Sequence, residues 1–267
     1  MRSIIISLVF FIAAHFVAGQ STYIDSLENA IEAETLSEAK IDLLLELTLE
    51  YYAEDNVELN VQYGTQAKDL AISVKDYEKA GEACKYMGFA NFYSDPILAI
   101  GFFEEGFSYF EMAGNISGMS NMRQLQAEAN TLQGDANRGM ELGLEALALI
   151  NQTNDDLRKA SIFIALGNAY NDKEESSDQA ISYYKQALPI FENLERQYEI
   201  GNVLQNLGDA YRTKGQHQQA LEYYYESLEA YDDEFETPSK LLAIGKSYME
   251  LGMFKAVSYT HLRAHET

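Results

Sequence analysis

Between residues 160 and 228 the chain runs through one hydrophobic and polar pattern twice. ASIFIALGNAYNDKEESSDQAISYYKQAL and GNVLQNLGDAYRTKGQHQQALEYYYESL both run apolar, reach Leu-Gly, and place a Tyr three residues after the Gly. A polar turn follows, then Ala, an aromatic four residues on, and a small residue before Leu. Self-similarity at fixed spacing is the mark of a stacked repeat, here a helix, a turn and a second helix. Glycine inside a helix costs about 1 kcal/mol relative to alanine, so its recurrence at Gly167 and Gly208 asks for a packing reason. The pattern predicts close approach, with the second helix bringing its own small residue, Ala180 or Ala220, to the glycine. Tyr170, Tyr184, Tyr211 and Tyr224 would then fill the gaps between successive hairpins.

Weaker copies lie upstream. KYMGFANFYSDPILAIGFFEEGF aligns Gly88, Ala99, Phe103 and Gly106 with the template, RQLQAEANTLQGDANRGMELGLEAL aligns Ala127, Gly139, Gly143 and Ala146, and LLLELTLEYYAEDNVELNVQYGTQA aligns Thr48, Tyr51, Gly64 and Ala67. LLAIGKSYMELGMFK starts a sixth copy with Gly245 and Tyr248. The anchors Thr48, Gly88, Ala127, Gly167, Gly208 and Gly245 thus recur roughly every forty residues. Residues 23–33, with Ile24, Leu27 and Ile31 on one face, read as a lone amphipathic helix capping the array.

The LG..Y...........A...Y..AL pattern resembles the tetratricopeptide repeat, in a variant with lengthened helices and turns, over about Tyr23 to Lys255. The departures are Thr48 and Ala127 for the first-helix glycine, Asn91 and Asn130 for its tyrosine, and Gly64 and Gly143 for the second-helix aromatic. The resemblance implies an all-α solenoid of antiparallel helix hairpins, about five complete repeats and a truncated sixth, wound as a right-handed superhelix. It also implies a groove lined by the first helices that holds a peptide or a partner's helix. Carried over copy by copy, the groove-facing positions are Phe89, Phe92 and Tyr93, then Asn121, Gln124 and Glu128, then Asn168 and Asn171, then Asn202, Gln205, Asp209 and Arg212. Asn and Gln can bond both the N–H and the C=O of a bound backbone, and the aromatic trio could seat an apolar anchor. Phe89 stands where the family's carboxylate clamp would need Asn, so chaperone-tail binding is not expected.

The two ends change the picture. MRSIIISLVFFIAAHFVAGQ has the charged start, apolar run and small-residue close of a secretory signal peptide, placing a signal at 1–19 and the array at 20–255. An uncleaved anchor is the alternative, with an apolar run short for a span. At the other end, VSYTHLRAHET matches one reading frame of the adapter left by transposase-based sequencing libraries through all eleven residues. Residues 256–267 are therefore set aside as an artefactual tail that interrupts the sixth repeat.

Charge and chemistry narrow the function. The chain carries a formal net charge of -23, and losing Arg2 with the signal makes the remainder one unit more negative. Such a surface repels nucleic-acid phosphates and anionic lipid, so neither is an expected partner, and membrane contact is expected only through a downstream segment. Cys84 is the only cysteine and reads as a buried small hydrophobe. Without signal and tail, His217 in GQHQQ is the one histidine, too few for a metal site or a catalytic triad. YDDEFETP lacks the ligand spacing of a calcium loop. No phosphate loop follows a strand. The sequons at Asn115 and Asn151 matter only in a eukaryote.

The expectation is thus a cofactor-free, non-catalytic protein- or peptide-binding array. A signal followed at once by long repeats resembles the periplasmic sensing part of bacterial membrane signalling proteins: sensor histidine kinases, nucleotide cyclases or helix-turn-helix regulators. The alternatives are a free periplasmic or secreted scaffold and an enzyme whose active site lies downstream.

Overall fold

A computed structural model describes residues 23–171, 174–230, 244–246 and 248. The signal at 1–19, the acidic 231–238 stretch and the 256–267 tail fall outside the described residues. Among the described residues all regular structure is helical. After α1 (23–33) come α2 (Ser37–Ala53), α3 (Val57–Val74), α4 (Tyr77–Asn91), α5 (Pro96–Ala113), α6 (Ile116–Leu132), α7 (Ala136–Ile150), α8 (Asp156–Asn171), α9 (Ser177–Asn193), α10 (Gln197–Thr213) and α11 (His217–Ala230).

Local chemistry sets where helices begin. Asn56, Asp76, Asp95 and Asp135 each accept a hydrogen bond from the backbone N–H three residues on, at 3.0–3.2 Å, satisfying a donor the helix start leaves open. Pro96 follows Asp95 as the first residue of α5, where its missing N–H costs nothing.

The chain divides into two compact units, one through Asn115 and one from Ile116. In the first, α2 pairs with α3 and α4 with α5, and the first helices α2 and α4 also touch. The expected cap is in place: Ile24, Leu27 and Ile31 of α1 are buried with Ile41, Leu44 and Tyr51 of α2. Glu28 fixes it by accepting from the hydroxyls of Tyr51 at 3.0 Å and Tyr63 at 2.8 Å, whose rings stack 5.4 Å apart. In the second unit α6 pairs with α7, α8 with α9 and α10 with α11, while α6, α8 and α10 lie side by side. The pairing is antiparallel: Gly201 meets Ser227 and Gly208 meets Tyr224, so ascending α10 means descending α11. The five complete hairpins of the expected all-α solenoid are therefore present. Of the sixth, Ile244 is fully buried in the same apolar cluster as Val203, Leu207 and Tyr224.

The glycines do their packing differently from expectation. A Cβ on Gly167 would lie 2.3 Å from the ring of Tyr184, one on Gly208 2.4 Å from Tyr224, and one on Gly88 2.2 Å from Phe103. Each glycine makes room for the aromatic ring of its own hairpin's second helix, not for Ala180 or Ala220. Carbon atoms pack best at about 3.5–4.0 Å, so these slots admit no side chain. Where the second helix lacks the aromatic, the next hairpin fills the space. Met87 of α4 occupies it at Gly64, with a would-be Cβ 2.6 Å away, and Leu166 of α8 occupies it at Gly143, 2.7 Å away. Thr48 and Ala127 stand beside these two glycines, so the departures in the first and third copies compensate one another in volume.

Candidate peptide-binding surface

The expected groove residues fall in both units, and each set is described by itself. In the first unit Phe89 and Phe92 are half-buried over Phe103, with ring centroids 6.2 and 6.3 Å from it. Tyr52 lies 6.2 Å from Phe89, and Tyr93 packs edge-on to Phe92 at 5.1 Å. Two of the trio thus complete the packing around a buried ring, and Tyr93, 82% exposed, is the one that stands out from it.

In the second unit the row of first helices carries the remaining positions. Asn168 and Asp209 hold equivalent places one residue after their glycines, and both are already employed. Asn168 Oδ1 accepts from the Tyr184 hydroxyl at 2.7 Å and Asp209 Oδ1 from the Tyr224 hydroxyl at 2.8 Å. These bonds lock the rings into the glycine slots, and burial pushes both tyrosine hydroxyls well above the ordinary range. Asn202, Gln205 and Arg212 are half-buried along α10, with Arg212 3.7 Å from Asp209. The Asn171 side-chain oxygen is buried with no hydrogen-bond partner.

The tightest polar constellation lies where α6 meets the start of α8. Gln124 is only 7% exposed; its Nε2 donates to Glu128 Oε1 at 2.9 Å, and its Oε1 is buried without a hydrogen bond. One turn earlier on α6, Asn121 Oδ1 accepts from Arg158 Nη1 at 2.6 Å, leaving Arg158 Nε buried and unbonded. Asp155 anchors the arrangement, accepting from the Arg158 backbone N–H at 2.9 Å and from the Ser117 hydroxyl at 2.8 Å. Desolvation holds the Glu128 carboxyl above its ordinary range, against the opposing pull of Gln124 and Arg158. Burial likewise draws Arg158 below its usual value, against Asp155 and Glu128. The structure thus places Asn121, Gln124 and Glu128 near one another on α6 and joins Arg158 of α8 to Asn121. The family offsets point at one face of each first helix and do not reach its opening turn, so they passed Arg158 over. Among the described residues no group of three or more His, Cys, Asp or Glu side chains could hold a metal ion, and no helix is long and apolar enough to cross a membrane.

A family model described as "Tetratricopeptide repeat" matches residues 175–233. No curated protein sequence matches the chain. Solved structures share the fold at low identity. One is a STAND protein (signal transduction ATPase with numerous domains) with a tetratricopeptide repeat sensor, from Pyrococcus horikoshii. It is similar at 13% identity and a TM-score of 0.73, over 92% of this chain and 38% of that one. A Rap protein complexed with competence and sporulation factor is similar at 13% identity and a TM-score of 0.65, over 94% of this chain and 71% of that one. Aspartyl phosphate phosphatase F from Bacillus subtilis is similar at 14% and 0.61, over 92% and 71%. The chain thus spans well under half the length of the first of these. Residues 175–233 are tetratricopeptide repeats, and the helix-hairpin architecture of the chain is the tetratricopeptide fold.

Proposed function

We propose that this chain is a non-catalytic, extracytoplasmic module that captures a protein or peptide, and that it forms the N-terminal sensing part of a longer membrane signalling protein. The observation that carries the binding reading is the row of polar side chains on α6, α8 and α10, which includes a Gln124 side-chain oxygen that is buried without a hydrogen bond. A buried polar group without a partner costs about 1–3 kcal/mol, a cost that a bound peptide would remove. The fold supports the reading: repeat arrays display extended surfaces of this kind, and one structural relative is described as complexed with a factor, another as having a repeat sensor. Export rests on the signal-like first nineteen residues.

Capture is tested by a pull-down with the double variant Asn202→Ala and Arg212→Ala. Weaker retention with unchanged helicity and melting is expected, and undiminished retention removes α10 from the surface. Export is tested by fusing residues 1–30 to alkaline phosphatase, which is active only outside the cytoplasm. An inactive fusion defeats that part. For the signalling role, the uninterrupted gene should continue into a hydrophobic span and an output domain, whereas a stop codon soon after the sixth repeat favours a free-standing scaffold.

A further inference from the structure

We propose that the aromatic patch where the ends of α2 and α4 meet, formed by Tyr52, Phe89, Phe92 and Tyr93, docks a basic segment of the captured peptide, with its arginine or lysine held against the rings. The inference rests on the peptide-capture reading above, lies wholly within the first unit, and names the chemistry that this part of the surface selects.

Two contacts fix how the patch is built. Lys79 Nζ pairs with Asp42 Oδ1 at 2.6 Å near the starts of α4 and α2, and the rings of Tyr52 and Phe89 meet at 6.2 Å near their ends. The two helices therefore run parallel, and their C-terminal ends lie side by side. The rings there reach solvent: Tyr93 is 82% exposed and Tyr52 46%, while Phe89 and Phe92 are half-buried over Phe103. A helix C-terminus carries partial negative charge, which a lysine or arginine in the last turn offsets. Neither α2 nor α4 has one there. The sequence holds no Lys, Arg or His between Lys40 and Lys68 or between Lys85 and Arg123, the stretches that supply the four rings and the turns after both helices. Lys85, one turn before Phe89, has its Nζ over the ring of Tyr86 at 4.7 Å. The turns supply acid instead: Glu54 and Asp55 follow Tyr52, Asp95 follows Tyr93, and all three are exposed. A cation is thus attracted by the negative faces of the rings and by the carboxylates and helix ends around them. An acidic peptide, or a second copy of this chain, would bring like charge to the same rim. A neutral apolar segment would cover the rings and leave the surrounding negative charge unanswered.

The test uses the full chain and nonapeptide libraries acetylated and amidated at their ends, randomised over uncharged residues except at the central position. That position is fixed in turn as Arg, Lys, Leu, Gly or Glu. Retention is read at about 0.15 M salt, where the diffuse pull of an acidic protein on any cation is screened beyond about 8 Å. The Arg and Lys libraries should be retained about tenfold above the Leu and Gly libraries, and the Glu library least. Tyr52→Ser with Tyr93→Ser leaves the net charge unchanged and should cut that preference to about twofold or less, while the circular dichroism melt stays cooperative. Asp55→Asn with Asp95→Asn should weaken it severalfold, since Asn tolerates the positive φ at residue 55 and caps α5 as Asp does. Met112→Ser should leave it unchanged, because this exposed side chain lies about 24 Å along α5 from the helix start beside Tyr93. A preference that survives the tyrosine substitutions comes from net charge alone and overturns the patch. Equal retention of the Arg, Lys and Leu libraries overturns the basic segment but leaves peptide capture standing. Retention of no library overturns both readings.

Discussion

Replacing Gly208 with alanine should destabilise the fifth hairpin, although alanine is the better helix former. The new Cβ would lie 2.4 Å from Tyr224 Cε1, 2.5 Å from Cδ1 and 3.0 Å from Cζ, each well inside van der Waals contact. The ring has no easy retreat. It is fully buried, among Val203, Leu207 and Ile244, and its hydroxyl is tied to Asp209. Forcing a methyl into a packed core costs about 1–3 kcal/mol, and helix propensity returns about 1 kcal/mol, which leaves a net loss of up to about 2 kcal/mol. Gly101 is the control. It sits in α5 with nothing within 4 Å of its would-be Cβ, so Gly101→Ala should gain the propensity alone, about 1 kcal/mol. Because stability in a repeat array is a sum of local and neighbour terms, the assay is amide hydrogen exchange of α10 and α11 as well as urea unfolding followed by circular dichroism. Shrinking the ring should relieve the clash, so Gly208→Ala combined with Tyr224→Leu should cost less than the two single changes added together. If Gly208→Ala stabilises as Gly101→Ala does, the slot is not shaped by the ring and the packing argument is wrong.

Three further outcomes follow from buried polar groups. Burial raises the Cys84 thiol from about 9 to about 12, so it should resist thiol reagents in the native chain and react at once in denaturant; its contribution to stability is full below pH 9 and lost as the pH rises from there toward 12. Glu128, facing Gln124 and Arg158 with Asp155 beyond, has its carboxyl raised by desolvation, so its contribution to stability is present at acid pH and lost as the pH rises; Glu128→Gln should raise the melting temperature at pH 7 and change it little at pH 4. Ser227 is buried and donates to the Gly201 carbonyl of the neighbouring helix at 2.9 Å, so Ser227→Ala should cost about 1 kcal/mol in urea unfolding.

Most of the fold was legible because the repeat writes its contacts into fixed spacing. Gly167 with Tyr184 and Gly208 with Tyr224 are the positions that the two strong copies share, and both pairs meet in space. What spacing did not reveal was the partner of each glycine, since helix pairing alone allows either Ala180 or Tyr184 to face Gly167. The weak copies hid a trade between hairpins. Met87 and Leu166 belong to the repeat after the one whose missing aromatic they replace, so no comparison within one copy exposes them. At the candidate surface, the offsets selected Asn121, Gln124 and Glu128, which lie one to two turns apart on α6. They also selected Asn168 and Asp209, whose side chains serve the neighbouring tyrosines, because outward position says nothing of a hydrogen bond within the hairpin.

Site-specific photo-crosslinking tests the central claim most directly, that a partner lies along the first helices. A benzophenone side chain placed at Gln205 on α10, and separately at the exposed Glu222 on α11, can be irradiated in the presence of a retained peptide. Adducts from position 205 and none from 222 are expected. Adducts from 222 alone would put the partner on the second helices and contradict the account.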